Sequence, residues 1–166
     1  IKDIIESHNK SLEFDTTKNI EIVFLNNGIE MANVKGDRTR INQVFENLLD
    51  NAIRFSDNFN QTKQELSKRK KPMIQIIISK STAYDNSSSR LLTCIKDNGP
   101  GIDRATMPKL FKKFTTQDPN GNGNGNGLGL FISKGIVEAH GGKMWAKNNA
   151  DEDGSSFFFT LPIHIK

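Results

Sequence analysis

Asn47 and Asn51 stand four residues apart in "RTRINQVFENLLDNAIRF", a spacing that puts both side chains on one face of a helix. Amide oxygens are neutral, hard ligands of the kind Mg2+ accepts when it bridges phosphates and keeps several waters. Arg54, one helical step further round, stands at the edge of that face. Asparagine is common on helix surfaces, so the pair gains chemical meaning only from its company. A second cluster is "DNGPGID", Asp97 to Asp103, directly after an apolar run. It reads either as a tight turn or as an acid at the end of a buried strand. In the second case the carboxylate can accept a hydrogen bond from an exocyclic amine such as that of adenine. Gly99 and Gly101 then remove the side chains that would block a flat ligand.

A third cluster is "LFKKF", with Phe111 and Phe114 either in the core or hinging a loop whose Lys112 and Lys113 face phosphate. The fourth is "DPNGNGNGNGLGLFISKGIVEAHGG", Asp118 to Gly142. Its composition suggests a spacer. Yet it runs straight into a helical pattern, and Gly125, Gly127 and Gly129 would let backbone N–H groups wrap an anion at the helix start, with the dipole adding attraction. Leu130 breaks a G-x-G-x-x-G pattern, and no G-K-[ST] follows, so neither common phosphate motif is present.

The elements that must position these clusters follow from periodicity. "IEIVFL" (Ile20 to Leu25) predicts a strand, and "MANVKG" a second short one. Asp37 is a suitable N-cap for a long helix over Arg38 to Phe55. Its Ile41, Val44, Phe45, Leu48, Leu49, Ala52 and Phe55 fall at three- and four-residue spacings, which makes one apolar stripe. Residues 57–72 are polar and aperiodic and are expected to form a loop or insertion. "MIQIIIS" and "RLLTCIKD" predict strands, "DRATMPKLFKKF" a short irregular helix, and Leu128 to His140 a second long helix stopped by Gly141 and Gly142. "KMWAKN" and "SSFFFTLPIHI" close the chain as two strands, and Ile1 to Leu12 suggests a short opening helix. This order predicts an α+β fold, a two-layer α/β sandwich with helices covering one face of a mixed sheet.

The bulk properties bound the function. A chain of 166 residues suits one domain, and its 35% hydrophobic content implies long polar loops. The net charge of +4 concentrates in Lys63 to Lys71, a solvated stretch without the aromatic platforms of a nucleic-acid surface, so no nucleic-acid partner is expected. The single cysteine, Cys94, excludes an internal disulfide and fits a reducing compartment. No apolar run approaches the roughly 20 residues of a membrane span, so no membrane contact is expected from this domain.

Asn-x-x-x-Asn on a helix, then D-N-G-P-G-I, F-x-x-F and G-x-G-L-G-L resemble the ordered motifs of the Bergerat-fold ATPases. The chain is similar to the catalytic, ATP-binding domain of sensor histidine kinases over nearly its whole length. "GDRTRINQVFENLLDNAIRFS" resembles their asparagine box and "GLGLFISKGIVEAHGGKMWAKN" their second glycine box. The resemblance implies one domain over 1–166, with 1–15 as a leader helix from a preceding region and 115–127 as a mobile ATP lid. It implies ATP and Mg2+ as cofactors. Asn51 would be the metal ligand, supported by Asn47, with Arg54 near the phosphates. Asp97 would bind the adenine amine within a pocket shaped by Gly99, Gly101 and Ile102. Thr160 would lie beside the adenine-site water. Phe111 and Phe114 would anchor the lid, and the backbone from Gly125 through Gly127, Leu128, Gly129 and Leu130 would cradle phosphate.

Two departures from the family pattern are informative. Hydrolysing relatives carry a water-activating Glu four residues before the metal ligand, where this chain has Asn47. That difference fits transfer to another side chain rather than hydrolysis. The basic residue expected two positions after the second Phe is Thr116 here, so either Lys112 or Lys113 takes its task or turnover is slow. His8, His140 and His164 lack a His-[Glu/Asp] context. The expected acceptor is therefore a histidine on a separate dimerisation domain of the same parent protein, with a response-regulator receiver domain downstream in a cytoplasmic two-component system. The competing expectation is a nucleotide-binding sensor or scaffold without transfer.

Overall fold

A computed structural model of the chain describes residues 20–27, 33–62, 71–82, 89–115, 127–150 and 153–164. In chain order these form strand β1 (Glu21–Asn27), helix α1 (Arg38–Thr62), strands β2 (Met73–Thr82) and β3 (Ser89–Asp97), a 3-10 turn (Met107–Lys109), helix α2 (Gly129–Ala139), and strands β4 (Met144–Asn148) and β5 (Ser155–Pro162). The strands make one sheet in the order β1-β2-β3-β5-β4. β1 runs parallel to β2, and every other neighbour is antiparallel. The sheet is mixed, as the sequence implies, and both helices belong to the layer on one face.

That face is set by strand alternation. Ile74, Ile76, Ile95, Phe157, Phe159 and Leu161 point toward the helices and pack with Val44, Phe45, Leu48, Leu49 and Ala52 of the α1 stripe. Phe45 meets Phe159 edge-on, with ring centroids 5.2 Å apart. Burying each such large side chain contributes about 1.5–3 kcal/mol, so this seam is what fixes α1 over the sheet.

Three expectations need correction. Helix α1 does not stop at Phe55, because residues 57–62 continue it. Nothing between Asp37 and Pro72 is Gly or Pro, so propagation costs little once the helix is nucleated. Of "MANVKG", the described residues 33–36 supply an isolated bridge, Val34 with Ile163, rather than a strand. Helix α2 is one residue shorter at each end than expected, with Leu128 and His140 as its caps. The opening helix at 1–15, the basic stretch 63–70, His8 and Thr116 lie outside the described residues.

Asp37 does start α1, its Oδ1 accepting from Arg40 N–H at 3.1 Å. His140 then ties that start to the end of α2. The Asp37 N–H donates to His140 Nε2 at 3.0 Å, and the other ring nitrogen, Nδ1, lies 2.7 Å from the Ile136 carbonyl. Only the neutral ring with its proton on Nδ1 satisfies both partners. His140 therefore serves as a hydrogen-bonded clamp between the two helices. Replacing it with Leu should cost about 1 kcal/mol by leaving the Asp37 N–H without its partner, while the Ile136 carbonyl keeps the residue 140 backbone N–H. Denaturant unfolding read by circular dichroism checks this, and an unchanged midpoint would show the clamp to be dispensable.

Candidate active site

The site is built along α1. Near its middle, Asn47 Nδ2 donates to the Gly129 carbonyl at 3.3 Å and to Ser133 Oγ at 3.1 Å, so this side chain holds the first turn of α2. One turn on, Asn51 Oδ1 accepts from Arg54 at 3.2 Å, and the Arg54 guanidinium lies 4.7 Å over the Phe55 ring. A further turn on, Gly99 comes so close to α1 that a Cβ there would stand 3.3 Å from the backbone of Phe55 and Ser56 and 3.0 Å from Asp97 Oδ1. The first turn of α2 and the Asp97 loop thus face α1 about 12 Å apart along its axis, with Asn51 midway.

At the Asp97 end, β3 delivers a carboxyl that is only 4% exposed. Its Oδ1 accepts from the Gly99 and Ser155 N–H groups at 2.9 and 3.2 Å, and its Oδ2 from the Ser155 hydroxyl at 2.7 Å. Burial pushes the carboxyl above its ordinary range, while the hydrogen bonds from Ser155 and Gly99 pull it down. The loop after it is held by asparagines. Asn98 pairs its amide with Met73 N–H and the Lys71 carbonyl, and Asn148 pairs with both backbone groups of Ile102. Asn149 donates to the Asp97 and Asp153 carbonyls and accepts from Ser156. Gly101 turns beneath the Asn148 amide with a φ of 78°. Ile102 carries its side chain into the main core.

Thr160 is not in this cluster. Its hydroxyl accepts from Lys143 N–H at 3.1 Å, five residues and about 16 Å up β5 from Ser155. Because five is odd, Thr160 also points to the opposite face of the sheet. Ser155 is the β5 hydroxyl beside Asp97, and only the β3–β5 register could have singled it out.

At the α2 end, Leu128 caps the helix with no side-chain hydrogen bond. The first amide N–H groups of a helix have no partner within it, so those at 129–131 are available to an acceptor. Gly127, at φ 65°, packs so tightly on Phe114 and Thr115 that any Cβ would collide with their backbone. Phe114 N–H donates to the Gly127 carbonyl at 3.1 Å. The two ends of the expected lid are therefore tied at their base, while 116–126, including Gly125, lie outside the described residues.

Of the two phenylalanines expected to anchor the lid, only Phe111 packs on the core, together with Leu130. The Phe114 ring is 72% exposed and the residue has a φ of 62°, so it contributes through its backbone. Lys113 Nζ stands 5.0 Å over the Phe131 ring of α2, beside the helix start, and Lys112 is exposed.

Residues 36–165 match the family model described as histidine kinase-, DNA gyrase B-, and HSP90-like ATPase. The chain is 35% identical over 131 residues to the sensor protein kinase WalK of Staphylococcus epidermidis, covering 78% of this chain and 19% of that protein. It is 35% identical over 146 residues to the sensor protein FixL of Bradyrhizobium diazoefficiens, covering 87% of this chain and 25% of that protein. It thus spans a quarter or less of these relatives. The catalytic domain of histidine kinase ThkA superposes with a TM-score of 0.71 at 30% identity, over 96% of this chain and 90% of that one. With the sheet and the two helices in place, the chain belongs to the histidine kinase-, DNA gyrase B- and HSP90-like ATPases, as a histidine kinase catalytic domain.

Proposed function

We propose that this domain binds Mg-ATP along α1 and donates its γ-phosphoryl group to a histidine on a separate acceptor domain of the same parent protein, with a receiver domain downstream. The observation that carries this reading is the three-station arrangement: a buried carboxylate at one end, a helix N-terminus at the other, and Asn51 between them. A nucleoside triphosphate likewise carries its base at one end and its phosphates, which would bind the metal, toward the other.

The residues fit the ligand. Asp97 offers acceptor oxygens for an exocyclic amine, and the missing side chain at Gly99 leaves a flat approach. The N–H groups at 129–131 and Lys113 face the phosphate end. Among the described residues no group of three His, Cys, Asp or Glu could hold a metal unaided. Asn51 Oδ1 together with phosphate oxygens and water makes an oxygen-only donor set suited to Mg2+. When bound, Mg2+ would supply charge neutralisation on the phosphates.

The chain's own part is positioning. Asp97 fixes the base, α2 and Lys113 hold the phosphate end, and Arg54 orients the Asn51 amide. Asn47 has no carboxylate, and its Nδ2 is committed to Gly129 and Ser133. It therefore braces α2 rather than activating water, which favours transfer over hydrolysis. A cytoplasmic site of action follows from this reading, where ATP and a receiver domain would meet.

Calorimetric titration with a non-hydrolysable ATP analogue and its GTP counterpart tests the binding. Adding an acceptor-helix fragment with ATP tests the transfer. Adenine-selective binding and phosphohistidine are the expected results; binding without phosphohistidine would leave a nucleotide sensor instead. Replacing Asn51 with Ala should remove about a tenfold or larger Mg2+-dependent gain in analogue affinity. Equal Mg2+ dependence in both proteins would remove Asn51 from the metal site.

A further inference from the structure

The face of the sheet turned away from both helices carries a row of apolar side chains that the nucleotide reading does not use, with the small, buried Cys94 at its centre. Pairing registers align Leu25, Ile77, Cys94, Phe158 and Trp145 across all five strands. At about 4.8 Å per strand the row is roughly 19 Å long. Its ends are open, with Leu25 39% and Trp145 40% exposed. No other row on this face is apolar from edge to edge. An antiparallel sheet with a solvated face normally alternates polar residues outward.

Among the described residues of β3 and β4, the charges nearest the row are lysines. The next register step holds Lys96, Ser156 and Lys147, and Lys147 Nζ lies 5.2 Å over the Phe158 ring. Both lysines are close enough to Cys94 to oppose the upward push of burial on its thiol. By strand alternation Arg90 points to the same face, and Lys143 flanks its β4 edge. Glu21, the acid of β1 on this face, is engaged by Lys71 at 3.7 Å.

We propose that this face is a docking surface for an acidic protein segment that carries large apolar side chains. Charge complementarity selects the occupant. A second copy of the chain would set Lys96 and Lys147 against lysines of the same face in an isologous contact, and like charges so placed oppose association. Lysines beside aromatic rings also suit single-stranded nucleic acid. However, Trp145 and Phe158 already stack on each other, 5.3 Å apart and 6° from parallel, and the row continues as aliphatic Ile77 and Leu25. Apolar side chains fill such a row better than bases do.

Trp145 is the only tryptophan of the chain, so its emission reports on the row directly. The probe is a synthetic amphipathic peptide with a Leu face and Glu flanks, compared with its Gln-for-Glu and Lys-for-Glu counterparts. The Glu peptide should shift the emission to shorter wavelength, with an affinity that weakens as salt is added. The double replacement Lys96→Glu and Lys147→Glu should reduce that affinity about tenfold or more. Lys147→Glu alone, on an edge strand, gives a smaller loss in the same direction if the double variant does not fold. The proposal is overturned by no shift with the Glu peptide, by equal affinity for the Gln peptide, or by an unaltered affinity in the folded Lys147→Glu variant. It is equally overturned if an oligothymidylate displaces the peptide at equal concentration, or if the shift follows protein concentration alone as sedimentation shows a dimer.

Discussion

An Asp97→Asn variant is expected to bind an ATP analogue about 30- to 150-fold more weakly than the wild-type domain, with its fold intact. The loss corresponds to about 2–3 kcal/mol, the range of a hydrogen bond to a charged partner. The fold survives because the amide keeps one oxygen for the Gly99 and Ser155 N–H groups, while the Ser155 hydroxyl can reverse and accept from the new amide nitrogen. Calorimetry with the analogue reads the affinity, and a thermal scan confirms the fold. Unchanged affinity in the folded variant would remove Asp97 from the base-recognition role.

The same variant separates a pH effect. Burial raises the carboxyl in the folded state, so acidification should protonate it at a higher pH than an ordinary aspartate, turning an acceptor into a donor. Wild-type affinity should therefore fall as pH drops through that raised value, and this component should be absent from Asp97→Asn. Stability has the opposite sign. Between the unfolded and the raised folded pKa the folded state holds more protons, so this group's contribution is favourable at acid pH and declines as pH rises through that window.

The largest effect on stability is expected at Gly154, on the turn before β5. Its φ is 105°, and a Cβ there would collide with the Asp97 carbonyl oxygen and the Asn98 Cα. Gly154→Ala thus combines backbone strain with a clash against backbone that three asparagines hold in place. Together these should cost about 3–5 kcal/mol. For a domain of this size the melting temperature should drop by about 10–15 °C. A drop of only a degree or two would mean that the Asp97 loop gives way easily. In that case the asparagine pairings do not fix the site.

The sequence made the chemistry legible wherever residue type and local order suffice. Asp97 ends an apolar run, Asn51 lies one turn after Asn47, and the α1 stripe repeats at helical spacing. What it hid depends on long-range register. Thr160 and Ser155 are both β5 hydroxyls, but a strand's two faces alternate, and only pairing with β3 decides which one meets Asp97. Asn98, Asn148 and Asn149 were equally silent, because each bonds to backbone on a remote segment and local spacing carries no trace of that. Phe114 misled for a different reason. Its type suggests burial, whereas the fold uses its N–H. In α1, the polar letters after Phe55 resembled a loop because they lack a stripe, yet a helix needs no stripe where it has no breaker.

The position of β5 has a consequence for biosynthesis. Although last of the described strands in chain order, it lies inside the sheet between β3 and β4. Ser155 follows Asp97 by 58 residues, which at about 5–20 residues per second leaves roughly 3–12 s of translation between them. Through that interval β3 presents an unpaired edge, and β4, once made, has no neighbour to join. If the domain binds nucleotide as proposed, the carboxyl that would meet the base lacks, through that interval, the serine that orders it.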